Sequence, residues 1–247
     1  MGMTVELLSA LPTFVVPDVR AAVAHYTEVL GFRVPEHFRD AEEFAIVDLA
    51  PGQGIHLKRG PGAPVEGAFV LLSLDEQTRL AADLARRGAD LRAGLAMKPW
   101  GMREMTVVDH VGHRLRIAAE DRPPGQPRVC PEIPVADVAA ALAFSRGVLG
   151  FQVIHAAEHQ GRTVFAAVER DGARLHWTQA EISPRNRARA GIWDLAIEAR
   201  GVDELARALA ATATILRGPL TAEYGIRELE IAGPDGCTIC FAEDLGG

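Results

Sequence analysis

The sequence predicts an α+β chain of two tandem domains, each built from two strand–helix–three-strand modules. Three observations carry this. DVRAAVAHYTEVLGFRV from Asp18 returns as DVAAALAFSRGVLGFQV from Asp137. WGMRE from Trp100 returns as YGIRE from Tyr224. Within each copy, a strand-period apolar pattern is followed by a helix-period pattern and then by more strands, and this happens twice.

The first pair of stretches lies 119 residues apart, an offset shared by Pro12 and Pro131, Leu30 and Leu149, Gly31 and Gly150, and Phe32 and Phe151. The second pair lies 124 apart, as do Gly112 and Gly236, so a few residues were inserted in loops. Between the copies runs DRPPGQPR, too rich in proline and polar residues for a core element. The expected boundaries are residues 1–120 for the first domain, 121–128 for the linker and 129–247 for the second domain.

Each element has a local reason. TFVV and EIPV are short apolar strands. Asp18 and Asp137 stand where an N-cap carboxylate accepts backbone N–H bonds. Ala22, Val23, Tyr26 and Leu30 recur at helical spacing, and Gly31 can end that helix in the left-handed conformation. Strands follow, among them EEFAIVDLA and GIHLKRG. The second module repeats the order with the strand AFVLLSL, the helix DEQTRLAADLARRG ending at Gly88, and strands through TVVDH and HRLRIAAE.

Composition narrows the function. The net charge of −7, from 26 basic and 33 acidic residues, disfavours a nucleic-acid binder, which needs a basic face to displace counterions. No apolar run reaches the length of about 20 residues that spans a membrane. MGMTVELLSALPTFVV has no basic segment ahead of its apolar stretch, and Glu6 stands where a myristoylation motif wants Ser or Thr. Three cysteines do not make a secreted disulfide framework. A cytoplasmic protein without nucleic-acid or membrane partners is expected. No nucleophile elbow, P-loop or dinucleotide fingerprint is present, and GPGAPVEG near Gly60 lacks the spacing and lysine of a phosphate loop.

VPDVRAAVAHYTEVLGF, VADVAAALAFSRGVLGF, PWGMRE and GPDGCTICF together resemble the vicinal oxygen chelate superfamily. That superfamily includes glyoxalase I, extradiol dioxygenases, fosfomycin-resistance proteins and bleomycin-resistance proteins. The resemblance covers the whole chain. It implies that two βαβββ modules make one cupped mixed sheet, helices outside and a ligand or metal inside, so two cups are expected.

Alternation along strands assigns faces. Ile133, Val135, Leu175, Trp177, Trp193, Leu195, Ile197, Ile239 and Phe241 should pack under helices. Cys130, Glu132, Arg174, His176, Asp194, Thr238 and Cys240 should line the cup. Metal enzymes of the family take one ligand from each of four strands. The resemblance puts those positions at Cys130, His176, Asp194 and Cys240 in the second domain, and at Leu11, His56, Phe69 and Arg116 in the first, which cannot hold the family's metal. Thiolates would favour zinc, iron or nickel over magnesium. Against this stands a plain alternative: buried cysteine behaves as a small hydrophobe, and Asp194 pairs with Arg174. A Cys130–Cys240 disulfide is a third.

The first cup, with Lys58 and Arg114 beside His56 and Arg116, reads as apolar and basic. In bleomycin-type resistance proteins the Trp of a stretch nearly identical to PWGMRE stacks on the flat part of the drug; here that position is Trp100, matched by Tyr224. A structural role, sealing the mouth of the cup, is the alternative. Arg103 and Arg227 should pair with the adjoining Glu104 and Glu228. His110, His113, His155 and His159 read as solvated.

Two functions remain open. One is a protein without cofactor that binds, and sequesters or acts on, a small, partly aromatic compound or antibiotic, with Trp100, Tyr224, His56, Arg116 and His176 as ligand-binding residues. The other is a glyoxalase- or dioxygenase-like enzyme with one divalent metal held by Cys130, His176, Asp194 and Cys240. The chain is expected as a monomer with an internal pseudo-dimer or as a homodimer.

Overall fold

The computed structural model describes residues 5–61, 66–180 and 191–246; Gly2 and part of GPGAPVEG lie outside them. The first copy runs β1 (Glu6–Val16), α1 (Val19–Glu28), β2 (Phe44–Ala50), β3 (Gln53–Arg59), β4 (Glu66–Leu72), α2 (Leu74–Arg86), β5 (Asp90–Met97), β6 (Arg103–Val108) and β7 (Arg114–Ala119). The second runs β8 (Arg128–Val135), α3 (Val138–Gly147), β9 (Gln152–His159), β10 (Arg162–Arg170), β11 (Ala173–Gln179), β12 (Leu195–Arg200), α4 (Val202–Leu209), β13 (Ile215–Thr221), β14 (Ile226–Ala232) and β15 (Thr238–Asp244). Strand order is β13-β14-β15-β12-β1-β3-β2 in a seven-stranded mixed sheet and β5-β6-β7-β4-β8-β11-β10-β9 in an eight-stranded one.

The helix ends follow the expected chemistry. Asp18 and Asp137 cap α1 and α3 through Ala21 N and Ala140 N, each at 3.0 Å. Gly31 and Gly150 take φ of 79° and 71°. The amides of Phe32 and Phe151 then reach back to Tyr26 O and Ser145 O, both at 2.9 Å, closing the same left-handed turn in both copies. Ser73 and Glu76 form a reciprocal capping box on α2.

The copies differ after the first helix. The second copy has β9 there, whereas the first has a 3₁₀ turn, Glu36–Phe38, and a single bridge between Arg33 and Asp48. Pro35 precedes the turn; it lacks an N–H and fixes φ, so a ladder cannot pass through it.

The chain divides into two compact units, Leu11–Cys130 and Pro131–Gly247 together with Met1–Ala10. The two divisions fall inside strands, β1 and β8. The linker goes with the first copy because that copy satisfies its amides: Glu76 Oε1 accepts from Gly125 N at 2.7 Å, and Gln53 Oε1 from Val129 N at 3.0 Å.

Each unit has one apolar core fed by both of its modules. In the first, Phe14, Val16, Ala45, Val47, Ile55 and Leu57 meet Val70, Leu72, Met105, Val107, Leu115 and Ile117, with Ala22, Tyr26 and Leu84 from the helices. In the second, Ile133, Val135, Leu175 and Trp177 meet Leu195, Ile197, Leu229, Ile231, Ile239 and Phe241, with Val138, Ala141, Val202 and Leu205 from the helices. The alternation read from the sequence expected Ile133, Val135, Leu175, Trp177, Leu195, Ile197, Ile239 and Phe241 in the core of the second unit, and they lie there. It also settles where the other parity goes: away from the core, on whichever sheet the strand belongs to.

Candidate functional site

The residues of that opposite parity are buried yet polar. In the second unit they include Glu132, His176, Glu228, Glu230 and Thr238; in the first, Thr13, His56 and Glu104. Buried charge is tolerated only when paired, and the pairings define the candidate sites.

Trp100 is 58% exposed, but its polar tip is fixed: the indole Nε1 donates to Glu104 Oε1 at 2.6 Å. Arg116 donates to Glu104 Oε2 at 3.0 Å, and its guanidinium lies 4.8 Å from the Phe69 ring centroid and 5.9 Å from that of Trp100. Glu104 on β6 thus holds an exposed aromatic face from the β5–β6 turn and a cation from β7 in one arrangement.

Tyr224, 65% exposed, repeats this in the second copy. Its hydroxyl donates to Glu228, and Arg217 bridges Glu228 and Glu230, the latter at 2.9 Å. Glu230 also accepts from Gly191 N at 2.6 Å. Burial first, then the bond to Glu228, pushes the Tyr224 phenol upward, so it stays protonated and a donor. The pairings of Glu104 with Arg103 and of Glu228 with Arg227 expected from the sequence do not form. Arg103 instead bonds Gln77 Oε1 at 2.8 Å and the Leu74 carbonyl at 2.9 Å, and Arg227 bonds Asp203 at 2.6 Å. On a strand, neighbours point to opposite faces, so Arg103 and Glu104 part company. Arg217 was missed because the irregular β13–β14 register, not sequence spacing, brings it beside Glu228 and Glu230.

The first module of each copy carries a second motif. His56 meets Phe44 edge-on at 5.1 Å and 76°, and His176 meets Phe165 at 5.2 Å and 66°. Across the parallel pairs, Thr13 stands in register with His56 and Glu132 with His176. Burial, and then the Lys58 charge, lowers His56 to about 4, so it is uncharged at neutral pH. Thr13, Phe44 and Phe165 were not singled out by sequence; Phe44 and Phe165 recur 121 residues apart, whereas Thr13 is matched by Glu132.

Not all expected neighbours meet. His56 is on β3, which pairs β1 and β2, whereas Arg116 is on β7, which pairs β4 and β6. Both strands turn their apolar parity into one core, so these two side chains leave it on different sheets. Arg116 is also balanced by Glu104. The basic first cup is thereby corrected: its two halves are separate, and its histidine is uncharged.

The same geometry bears on the four expected metal ligands. His176 leaves the second core on β11, Asp194 and Cys240 on the sheet of β12 and β15. Asp194 Oδ2 accepts from Thr238 N at 2.8 Å, and Cys240 Sγ points to the Phe241 carbonyl at 3.8 Å. Cys130 packs with Phe69, Leu71 and Ala118. Both cysteines carry thiols, without a disulfide. Among the described residues no group of three or more His, Cys, Asp or Glu side chains is placed to hold a metal ion; this donor set does not fit one ion. Nor is any helix among them long and apolar enough to cross a membrane. His113, expected in solvent, is fully buried, stacked on Phe14 at 4.5 Å with Nε2 3.1 Å from Val15 O.

Comparison with known proteins finds two matches to one family model, glyoxalase/bleomycin resistance protein/dioxygenase superfamily, over residues 10–117 and 128–241. A single-residue variant of glyoxalase I from Zea mays superposes with a TM-score of 0.73 at 17% identity, covering 97% of this chain and 94% of that one. A putative dioxygenase from Bacillus subtilis gives 0.70 at 12%, covering 98% and 86%. The cppA protein from Streptococcus pneumoniae gives 0.56 at 11%, covering 96% and 98%. These likenesses concern the fold. No curated protein matches the chain in sequence.

Proposed function

Since the chain belongs to the glyoxalase/bleomycin resistance protein/dioxygenase superfamily through both of its copies, we propose that it binds a small, partly aromatic compound, an antibiotic among the candidates, without a metal. The observation that carries this is the exposed aromatic with a fixed polar tip, Trp100 on Glu104 and Tyr224 on Glu228. Exposing a large aromatic face costs hydration, and locking its tip removes the freedom it would otherwise lose on stacking. Arg116 beside Trp100 adds a cation that can lie over a ligand ring. A reducing cytoplasm suits three buried thiols.

Titration of planar antibiotics, followed by tryptophan fluorescence, tests the reading. Trp100→Ala should weaken binding by ~0.5–1.5 kcal/mol; a ligand held equally by both proteins removes Trp100 from the site. The metal-dependent alternative needs Cys130, His176, Asp194 and Cys240 to converge. Stoichiometric zinc, iron or nickel in protein purified without chelator, lost in both Cys130→Ser and Cys240→Ser, would establish it instead.

A further inference from the structure

Thr13 and His56 stand opposite each other on the parallel strands β1 and β3. They are 5% and 8% exposed. Thr13 Oγ1 and His56 Nδ1 are both buried and neither has a hydrogen-bond partner. Native proteins pair nearly all such groups, and an exception calls for a reason. Here two exceptions share one face of strands roughly 4.8 Å apart, so a single partner can answer both.

The surroundings describe that partner. Phe44 presents its ring edge-on to His56, which makes one wall apolar. An uncharged imidazole has one donor and one acceptor nitrogen, and a threonine hydroxyl is both. The group that complements the pair with its own donor and acceptor is a hydroxyl. A carboxylate offers acceptors only and would leave the acceptor capacity of the threonine oxygen and the imidazole unanswered.

We propose that Thr13 and His56 are a recognition pair for one hydroxyl of the ligand, carried on an apolar body that lies against Phe44. This rests on the small-ligand reading above and deepens it to hydroxyl-bearing compounds, alcohols or phenols.

Calorimetric titration of the full chain with 2-naphthol, 2-methoxynaphthalene and 2-naphthoate tests it. The naphthol should bind about tenfold more tightly than its methyl ether, the worth of one or two neutral hydrogen bonds, and more tightly than the naphthoate. Thr13→Val, close to isosteric, and His56→Phe should each abolish the ratio while circular dichroism stays native; Trp100→Ala should leave it intact. Equal affinity of naphthol and ether, a ratio that survives both substitutions, tighter binding of naphthoate, or no saturable binding of naphthol overturns the hydroxyl pair. Equal affinities that both fall in Trp100→Ala do so while leaving the small-ligand reading standing.

Discussion

His56 must take up a proton when the chain unfolds in mild acid. Its folded value of about 4 lies below the unfolded 6.5, so the unfolded state binds more protons between those limits. Stability is unaffected above 6.5 and falls as pH drops from there through 4, by up to about 3 kcal/mol at 1.36 kcal/mol per pH unit. His25, lowered by burial and then by the adjoining His110, works in the same direction. Urea unfolding at pH 7 and pH 4.5 should show this loss in the wild type and a clearly smaller one in His56→Phe; equal losses would refute the assignment. Single residues were partly legible. The histidine was visible in GIHLKRG, because alternation places it opposite Ile55 and Leu57. Its neutrality was not, since Lys58 and Arg114 suggest a basic face until the sheets are separated and Glu104 is seen on Arg116.

The second helices of the two copies, α2 and α4, begin by different devices. The α2 cap is Ser73 with its capping box, readable as S-x-x-E in SLDE. Helix α4 starts after Gly201, which has no side chain to cap with; Glu243 of β15 accepts from Gly201 N at 2.9 Å and Val202 N at 3.0 Å instead. Nothing local in the sequence announces that long-range cap. Ser73→Ala and Glu243→Ala should each cost about 1 kcal/mol, a fall in Tm of ~2–4 °C for a chain of this size. At the helix ends, Gly150→Val must hold a β-branched residue at φ 71° and should cost ~1 kcal/mol or more. An unchanged Tm in any of these variants would show that the element does not depend on the contact named. The missing strand of the first copy belongs to the same scale. VPEHF carries its own explanation in Pro35, but the expectation of three strands per module outweighed it.

For the whole molecule, duplication was legible because equal offsets join residues that have no contact to preserve. Which faces belong together was not. Alternation says that His176 and Leu175 point apart, but the sheet on which Cys240 leaves the core is a matter of strand pairing over long sequence distances. The first strand shows the same limit. Leu7 is 1% exposed and sits in the core of the unit that contains the second copy, with Glu6 bonded to Arg200 and Ser9 to Glu198. Leu7→Ala should therefore cost as much as a central core truncation, about 2–5 kcal/mol, read as a fall in Tm.

That placement sets an order of events during translation. Residues 6–10 leave the ribosome long before β12, their neighbour in the sheet, which begins only at Leu195. At about 5–20 residues per second, a strand with a row of unfilled backbone bonds waits roughly 10–40 s for its place. Its sequence, ELLSA, meets that delay with a glutamate and a serine set among the apolar residues, the kind of interruption that discourages nascent chains from pairing with each other.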